Sequence, residues 1–253
     1  MFQNARLVIS GAEKLKPDVR EAFKLKFSKE MCEGYGATET APVAAVNTPS
    51  FLDPDTMKEL TFSRDGSVGL PLPGTIIKIV DPQTLQDVPT GEDGLIIIGG
   101  PQVMRGYLND PQKTADVIVE LDGVRYYKTG DKGHIDEAGF IYVTDRYSRF
   151  AKIGGEMVSL GSVEEHVARA LGDGEPFCAV SVPDAKKGEA IVLLVQTENA
   201  ARDIAAQIRD SGLIPLMRPA HILPVEKLPM LASGKADFKN AKKIALEILE
   251  GRR

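Results

Sequence analysis

After Pro17, the segment DVREAFKLKFSKEM sets Val19, Phe23 and Phe27 four residues apart, the spacing that lines one face of an amphipathic helix. Between Ser67 and Asp145 the period shortens to β-type runs, TIIKIVD, GLIIIGG and GFIYVTD, broken by turns at Pro71 to Gly74 and Gly91 to Gly94. That pattern predicts a β-rich subdomain over about 66–144. Past Asp145 the elements mix. Ser162 and Glu165 read as an S-x-x-E capping box and predict a helix starting at Ser162. The runs EPFCAVSV and EAIVLLVQ predict strands, and a helix is expected through Ala200 to Asp210. A last helix carries Phe238, Ala241, Ala245, Ile248 and Leu249 on one face, with lysines on the other. The polar, basic stretch DRYSRFAKIGGEM, Asp145 to Met157, reads as a linker between the two regimes. No internal repeat or low-complexity tract interrupts the chain.

Composition narrows the class. At 253 residues and 43% hydrophobic, the chain can bury one good core or two smaller ones, and two domains are expected. No run of about 18 apolar residues occurs, and MFQNARLVISGAEKL lacks the order of a signal peptide, so a soluble, cytoplasmic protein is expected. Residues 1–146 hold 16 Lys/Arg against 22 Asp/Glu, a lobe at −6, and residues 147–253 hold 15 against 14, a lobe at +1. A net of −5 argues against nucleic acid as the main partner, because phosphate contact needs a basic surplus. Cys32 and Cys178 lie outside any CxxC spacing and read as buried thiols. His134, His166 and His221 stand in unrelated contexts, which gives little support to a His-based metal site or a Ser-His-Asp triad.

Three stretches carry candidate chemistry. In EGYGATET, Gly34 and Gly36 would let the backbone pass close to a ligand, and Tyr35 offers a flat face for a base. Thr38 could then donate to a phosphate, and Glu39 could hold a divalent cation bridging phosphate oxygens. A glycine-rich turn with a solvated Glu fits equally well. In YYKTGD, Asp131 follows a glycine at an expected strand end, where a carboxylate can grip a ribose diol or merely cap a turn. In LPMLASGKADF, Ser233 and Gly234 form a turn that presents Lys235 ahead of the last helix. A lysine in the first turn of that helix would oppose the positive end of its dipole, which favours a functional role.

Taken in order, EGYGATE, YKTGD, DRYSRFAKIGGEMVSL and LPMLASGK resemble four successive core motifs of the adenylate-forming enzymes, which include acyl-CoA synthetases, luciferases and peptide-synthetase adenylation domains. The phrase RFAKIGGEMVSL, with KGEA later, is most similar to the acyl-carrier-protein synthetase half of bacterial 2-acylglycerophosphoethanolamine acyltransferase. The resemblance implies an α/β and α+β fold. Residues 1–145 would be the C-terminal part of the large AMP-binding domain, and 146–253 a small mobile α+β lid with its hinge near 146–149. It implies an ATP-dependent ligase that activates a carboxylic acid, expected to be a fatty acid, as acyl-AMP, and passes it to CoA or an acyl carrier protein. Mg²⁺ would serve as cofactor, and peripheral association with a membrane stays open.

Residue by residue, the resemblance puts Gly11, Ala12 and Glu13 along the adenine, with Tyr35 stacked on it between Gly34 and Gly36. It gives Thr38 the α-phosphate and Glu39 the Mg²⁺. Asp131 and Arg146 would hold the ribose, and Lys235 would bridge carboxylate and phosphate. Gly155 would line the tunnel for a pantetheine arm, and Lys152 would serve the thiol-transfer conformation. Two departures stand out. Ser148 occupies the hinge position, where the family usually has Asp or Lys, and nothing like S-G-T-T-G-x-P-K-G precedes SGAEKL. The chain therefore reads as the C-terminal part of a larger synthetase, expected to be incompetent alone in full adenylation. The alternative is a non-catalytic module that binds AMP or an acyl-adenylate, or docks a carrier protein.

Overall fold

The computed structural model describes residues 2, 4–11, 15–172, 175–197, 201–209, 213–231 and 234–251. They divide into two compact units, Met1–Arg146 and Tyr147–Arg253.

In the first unit, β1 (Ile9–Ser10), α1 (Pro17–Phe27), β2 (Cys32–Gly36), β3 (Val43–Val46), β4 (Phe51–Leu52), β5 (Glu59–Leu60) and β6 (Leu70–Pro71) come first. A sheet of order β1-β2-β3-β6 results, with β1 parallel to β2 and the other pairings antiparallel, and β4 and β5 form a separate hairpin. Then follow β7 (Ile76–Val80), β8 (Gly94–Gly99), α2 (Pro111–Val117), β9 (Ile118–Leu121), β10 (Val124–Ile135) and β11 (Ile141–Arg146). These strands build an antiparallel sheet of order β11-β10-β8-β7, with β9 also paired to β10. The three β-type runs seen in the sequence supply β7, β8 and β11. Their alternate residues Ile77, Ile79, Ile96, Ile98 and Ile141 pack with Ala44 and Ala45 of β3 into one core, as the two-residue period of a strand requires.

The helix expected after Pro17 is present, with proline at its first turn and Ser28 closing it in the left-handed conformation at φ 52°. Its apolar face is not a core face among the described residues. Phe23 and Phe27 cluster with Phe2, and Val19 is 46% exposed.

The second unit holds β12 (Phe150–Ile153), β13 (Glu156–Ser159), α3 (Leu160–Leu171), β14 (Phe177–Asp184), β15 (Gly188–Gln196), α4 (Ala201–Arg209), β16 (His221–Val225) and α5 (Phe238–Leu249). Its sheet runs β13-β12-β15-β14, with β16 parallel to β15. Both faces are covered. Ile191, Leu193 and Val195 join Val163 and Val167 of α3 and Ile204 and Ile208 of α4, whereas Val192 and Leu194 join Ala241 and Ala245 of α5. Double coverage explains why β15 reads as an unbroken apolar run.

Two expectations are corrected here. The stretch read as a linker does contain the division between the units, but from Phe150 it is a β-hairpin, with Lys152 opposite Met157 and Ile153 opposite Glu156. Its turn is Gly154-Gly155, both at positive φ (60° and 95°), the two-residue connection that matches strand twist. Lys152 and Glu156 are exposed on the hairpin, whereas Ala151, Ile153 and Val158 go into the core. The helix expected from Ser162 starts earlier, at Leu160, because Ser159 is the N-cap and its hydroxyl accepts the Ser162 amide at 2.9 Å. Glu165 therefore sits inside the helix rather than in a capping box.

Candidate active site

Asp131 organises one neighbourhood in the first unit. It is not at a strand end, as the sequence suggested, but in the middle of the twelve-residue β10. Gly130, at φ 75°, lets the chain bulge without ending, and the pairing with β8 shifts register between Lys128 and Lys132. The bulge turns Asp131 inward, where it is 7% exposed. Its amide donates to the Thr129 hydroxyl at 3.0 Å, and that hydroxyl donates to the Ile96 carbonyl at 2.8 Å.

The carboxylate meets two of the other predicted residues. Tyr35 donates its phenol hydrogen to Asp131 Oδ2 at 2.6 Å, although 96 residues separate them. Arg146 Nε donates to Oδ1 at 2.5 Å, from the directly opposed position on β11. Each carboxylate oxygen thus carries one charge-assisted or phenolic bond and keeps acceptor capacity for another. Burial, and next the Asp131 charge, push the Tyr35 phenol far above its usual range. It stays a donor at any physiological pH.

The glycines around Tyr35 serve the chain's own packing. Neither has positive φ. A Cβ on Gly36 would lie 1.8 Å from the Pro42 carbonyl oxygen, and one on Gly34 would lie 2.9 Å from Ile9 Cγ2. The close approach of neighbouring chain segments is by itself a reason for glycine at both positions. Gly11 stands next to this strand, with its Cβ position 3.4 Å from the Gly34 carbonyl oxygen. Ala12 and Glu13 lie outside the described residues.

Thr38 and Glu39 lie in a single 3₁₀ turn, Thr38–Thr40, held by mutual bonds between Ala37 and Thr40. Thr38 is exposed and Glu39 half-buried. Tyr107 donates to Glu39 Oε1 at 2.5 Å, and this bond, with burial, pushes the Tyr107 phenol up to about 12. Tyr127 is 8% exposed, and its phenol is raised by burial first and then by the Glu39, Tyr107 and Asp131 charges. Sequence reading missed Tyr107, Tyr127 and Thr129. Tyr127 and Thr129 precede Asp131 in YYKTGD, and Tyr107 stands in the run RGYL.

Among the described residues no group of three or more His, Cys, Asp or Glu is arranged to hold a metal. A single carboxylate such as Glu39 suits Mg²⁺, which keeps waters and takes its other ligands from phosphates. A depression of about 620 Å³ lined by Lys78, Asp87, Thr90, Ile135 and Glu137 lies apart from these groups and includes none of them.

In the second unit, Lys235 belongs to a short loop in which its carbonyl accepts the Leu231 amide at 2.7 Å and Met230 pairs with Ala236. Ser233 lies outside the described residues. The last helix begins only at Phe238, capped by Asp237, so Lys235 precedes its first turn rather than occupying it. Lys152 is exposed on β12, and Gly155 closes the hairpin; with Lys187, Gly188 and Glu189 they line a depression of about 430 Å³. Gly155 has no atom within 4 Å of its Cβ position, so its positive φ alone demands glycine.

Residues 1–108 match the family model described as AMP-binding enzyme, and residues 163–235 match that described as AMP-binding enzyme C-terminal domain. The chain belongs to the AMP-binding enzyme superfamily. The chain is 32% identical to 4-coumarate–CoA ligase 2 of Nicotiana tabacum over 240 residues, 92% of the chain and 42% of the relative. ATP-bound MatB from Rhodopseudomonas palustris matches with a TM-score of 0.73 and 27% identity, over 96% of this chain and 46% of that one. The o-succinylbenzoate CoA synthetase MenE of Bacillus subtilis, in complex with the acyl-adenylate OSB-AMP, matches with a TM-score of 0.70 and 26% identity, over 94% and 46%. The chain spans less than half the length of these relatives. No described helix is long and apolar enough to cross a membrane.

Proposed function

We propose that the chain is the C-terminal part of an acid-thiol ligase that activates a carboxylic acid with ATP as acyl-AMP and transfers the acyl group to a thiol. The carrying observation is the convergence of Tyr35 and Arg146 on the buried Asp131 carboxylate. In this reading Asp131, steadied on both oxygens, accepts the ribose hydroxyls, and the Tyr35 ring offers a stacking face for adenine. Gly11, Ala12, Glu13, Gly34 and Gly36 supply backbone along the base, and Thr38 donates to the α-phosphate. Glu39 would hold Mg²⁺, whose charge offsets that of the phosphates. Lys235 supplies a cation to the reacting oxygens, and Lys152 and Gly155 serve the thiol-transfer step. A fatty acid as substrate rests on the phrase from Arg149 to Leu160, and the acceptor thiol is that of CoA or of an acyl carrier protein.

Titration of AMP into the chain by calorimetry tests the nucleotide site. Saturable binding is expected, weakened at least ~10-fold in Asp131→Asn, since an amide matches neither the charge of Arg146 nor the acceptor pattern of a diol. An isotherm with no saturable heat in the unmodified chain would sink the reading. AMP binding without pyrophosphate release, in the presence of fatty acids and ATP, in a version extended upstream to include a phosphate-binding loop would instead identify a binding module.

A further inference from the structure

We propose that Tyr107 is the positioning residue of Glu39, occupying one carboxylate oxygen so that the other is the face offered to a nucleotide-bound divalent cation. The inference rests on the cation role given to Glu39 above and deepens it. The Tyr107 phenol donates to Glu39 Oε1 at 2.5 Å, the length of a strong O–H···O⁻ bond. Among the described residues no hydrogen bond reaches Oε2. A glutamate has three side-chain torsions, the last of them broad, so without such a bond its oxygens would exchange freely.

Tyr107 is itself held from several directions, which a positioning residue needs. Its amide donates to the Thr114 hydroxyl at 2.9 Å. The Lys113 ammonium stands 4.1 Å from its ring centroid, a cation–π distance. Gly106, at φ 157°, brings the backbone so near Thr114 that a Cβ would lie 2.8 Å from its methyl carbon. The main chain at Glu39 is pinned to the same loop, because its carbonyl accepts the Met104 amide at 2.9 Å. The 102–107 loop and the 38–40 turn therefore form one clamp around a single carboxylate, 68 residues apart in sequence. Partners behind a metal ligand act in this way, and their loss typically lowers metal affinity about 10- to 100-fold.

The test uses the full chain, Mn²⁺ as the probe in the presence of ATP, and electron paramagnetic resonance of free Mn²⁺ as the readout. Tyr107→Phe keeps the ring and its Lys113 contact and removes one oxygen. The expected loss is ~10-fold or more in Mn²⁺ affinity, with metal-free AMP affinity unchanged and Glu39 in more than one conformer in a crystal structure. On a Glu39→Gln background, Tyr107→Phe should add no further loss, which a mere packing role would not predict. An unaltered Mn²⁺ affinity, additive losses, or an unmoved Glu39 would overturn the proposal. Failure of the unmodified chain to take up Mn²⁺ with ATP would overturn it too, and would leave the AMP titration of the Asp131 site standing on its own.

Discussion

Lys235→Ala is expected to lower the rate of acyl-adenylate formation by on the order of 10²- to 10³-fold, the scale seen when one stabilising donor is removed from a transition state. The physical reason is specific to phosphoryl chemistry. Joining a carboxylate to the α-phosphate gathers negative charge on oxygens that already repel one another, and catalysis comes almost wholly from alignment and countercharge. An ammonium supplies that charge where a neutral side chain cannot. The Leu231 amide bond to the Lys235 carbonyl ties the loop, which lies ahead of the last helix and not in its first turn. AMP affinity should change little, because a contact confined to the transition state alters rate and not ground-state binding. Pyrophosphate release with ATP and a carboxylic acid measures the rate, in a preparation whose unmodified form turns over. A rate within a fewfold of the unmodified protein would remove Lys235 from the mechanism.

Arg149→Ala is expected to destabilise the second unit by about 3 kcal/mol, the lower end of the range for breaking a buried ion pair, because Glu164 keeps partial contact with water. Arg149 belongs to the polar, basic stretch Asp145 to Met157 and is nonetheless buried. It is 8% exposed and fully engaged. One guanidinium nitrogen donates to the Ala179 carbonyl at 2.9 Å, another pairs with Glu164, and the planar group stacks on Phe238 at 3.7 Å from the ring centroid. Glu164 in turn accepts the Ala179 amide at 2.7 Å. One side chain thus joins α3, β14 and α5, and its loss leaves a carboxylate, a carbonyl and an aromatic face short of partners at once. Arg149→Lys should recover little, since an ammonium offers neither the planar stack nor two donors in a fixed fork. Hydrogen exchange across α3 and β14 reads the effect in this unit directly. Protection that stays unchanged in Arg149→Ala would refute it.

Much of the architecture was present in local patterns. The isoleucine runs at residues 76–80 and 94–99 became adjacent strands because an alternating or continuous apolar run has one low-energy solution, a pleated strand with covered faces. The proline at the start of α1 and the alanines of α5 behaved as their spacing required. The sequence could also name Tyr35, Asp131 and Arg146 one at a time, since the motifs containing them resemble those of a known family.

Only the fold decided that these three meet. A hydrogen bond across 96 residues leaves no trace in local periodicity, and neither does the bulge at Gly130 that turns Asp131 inward instead of ending a strand. The hairpin at Phe150–Ser159 was hidden for the same reason, as two turn glycines and the exposed Lys152 and Glu156 interrupt the three positions that reach the core. Tyr107 became visible only through its bond to Glu39. Residue spacing along a chain reports short-range geometry, so it settles which elements form. Which carboxylate faces which donor is set by strand register and loop closure, and those exist only once distant segments have packed.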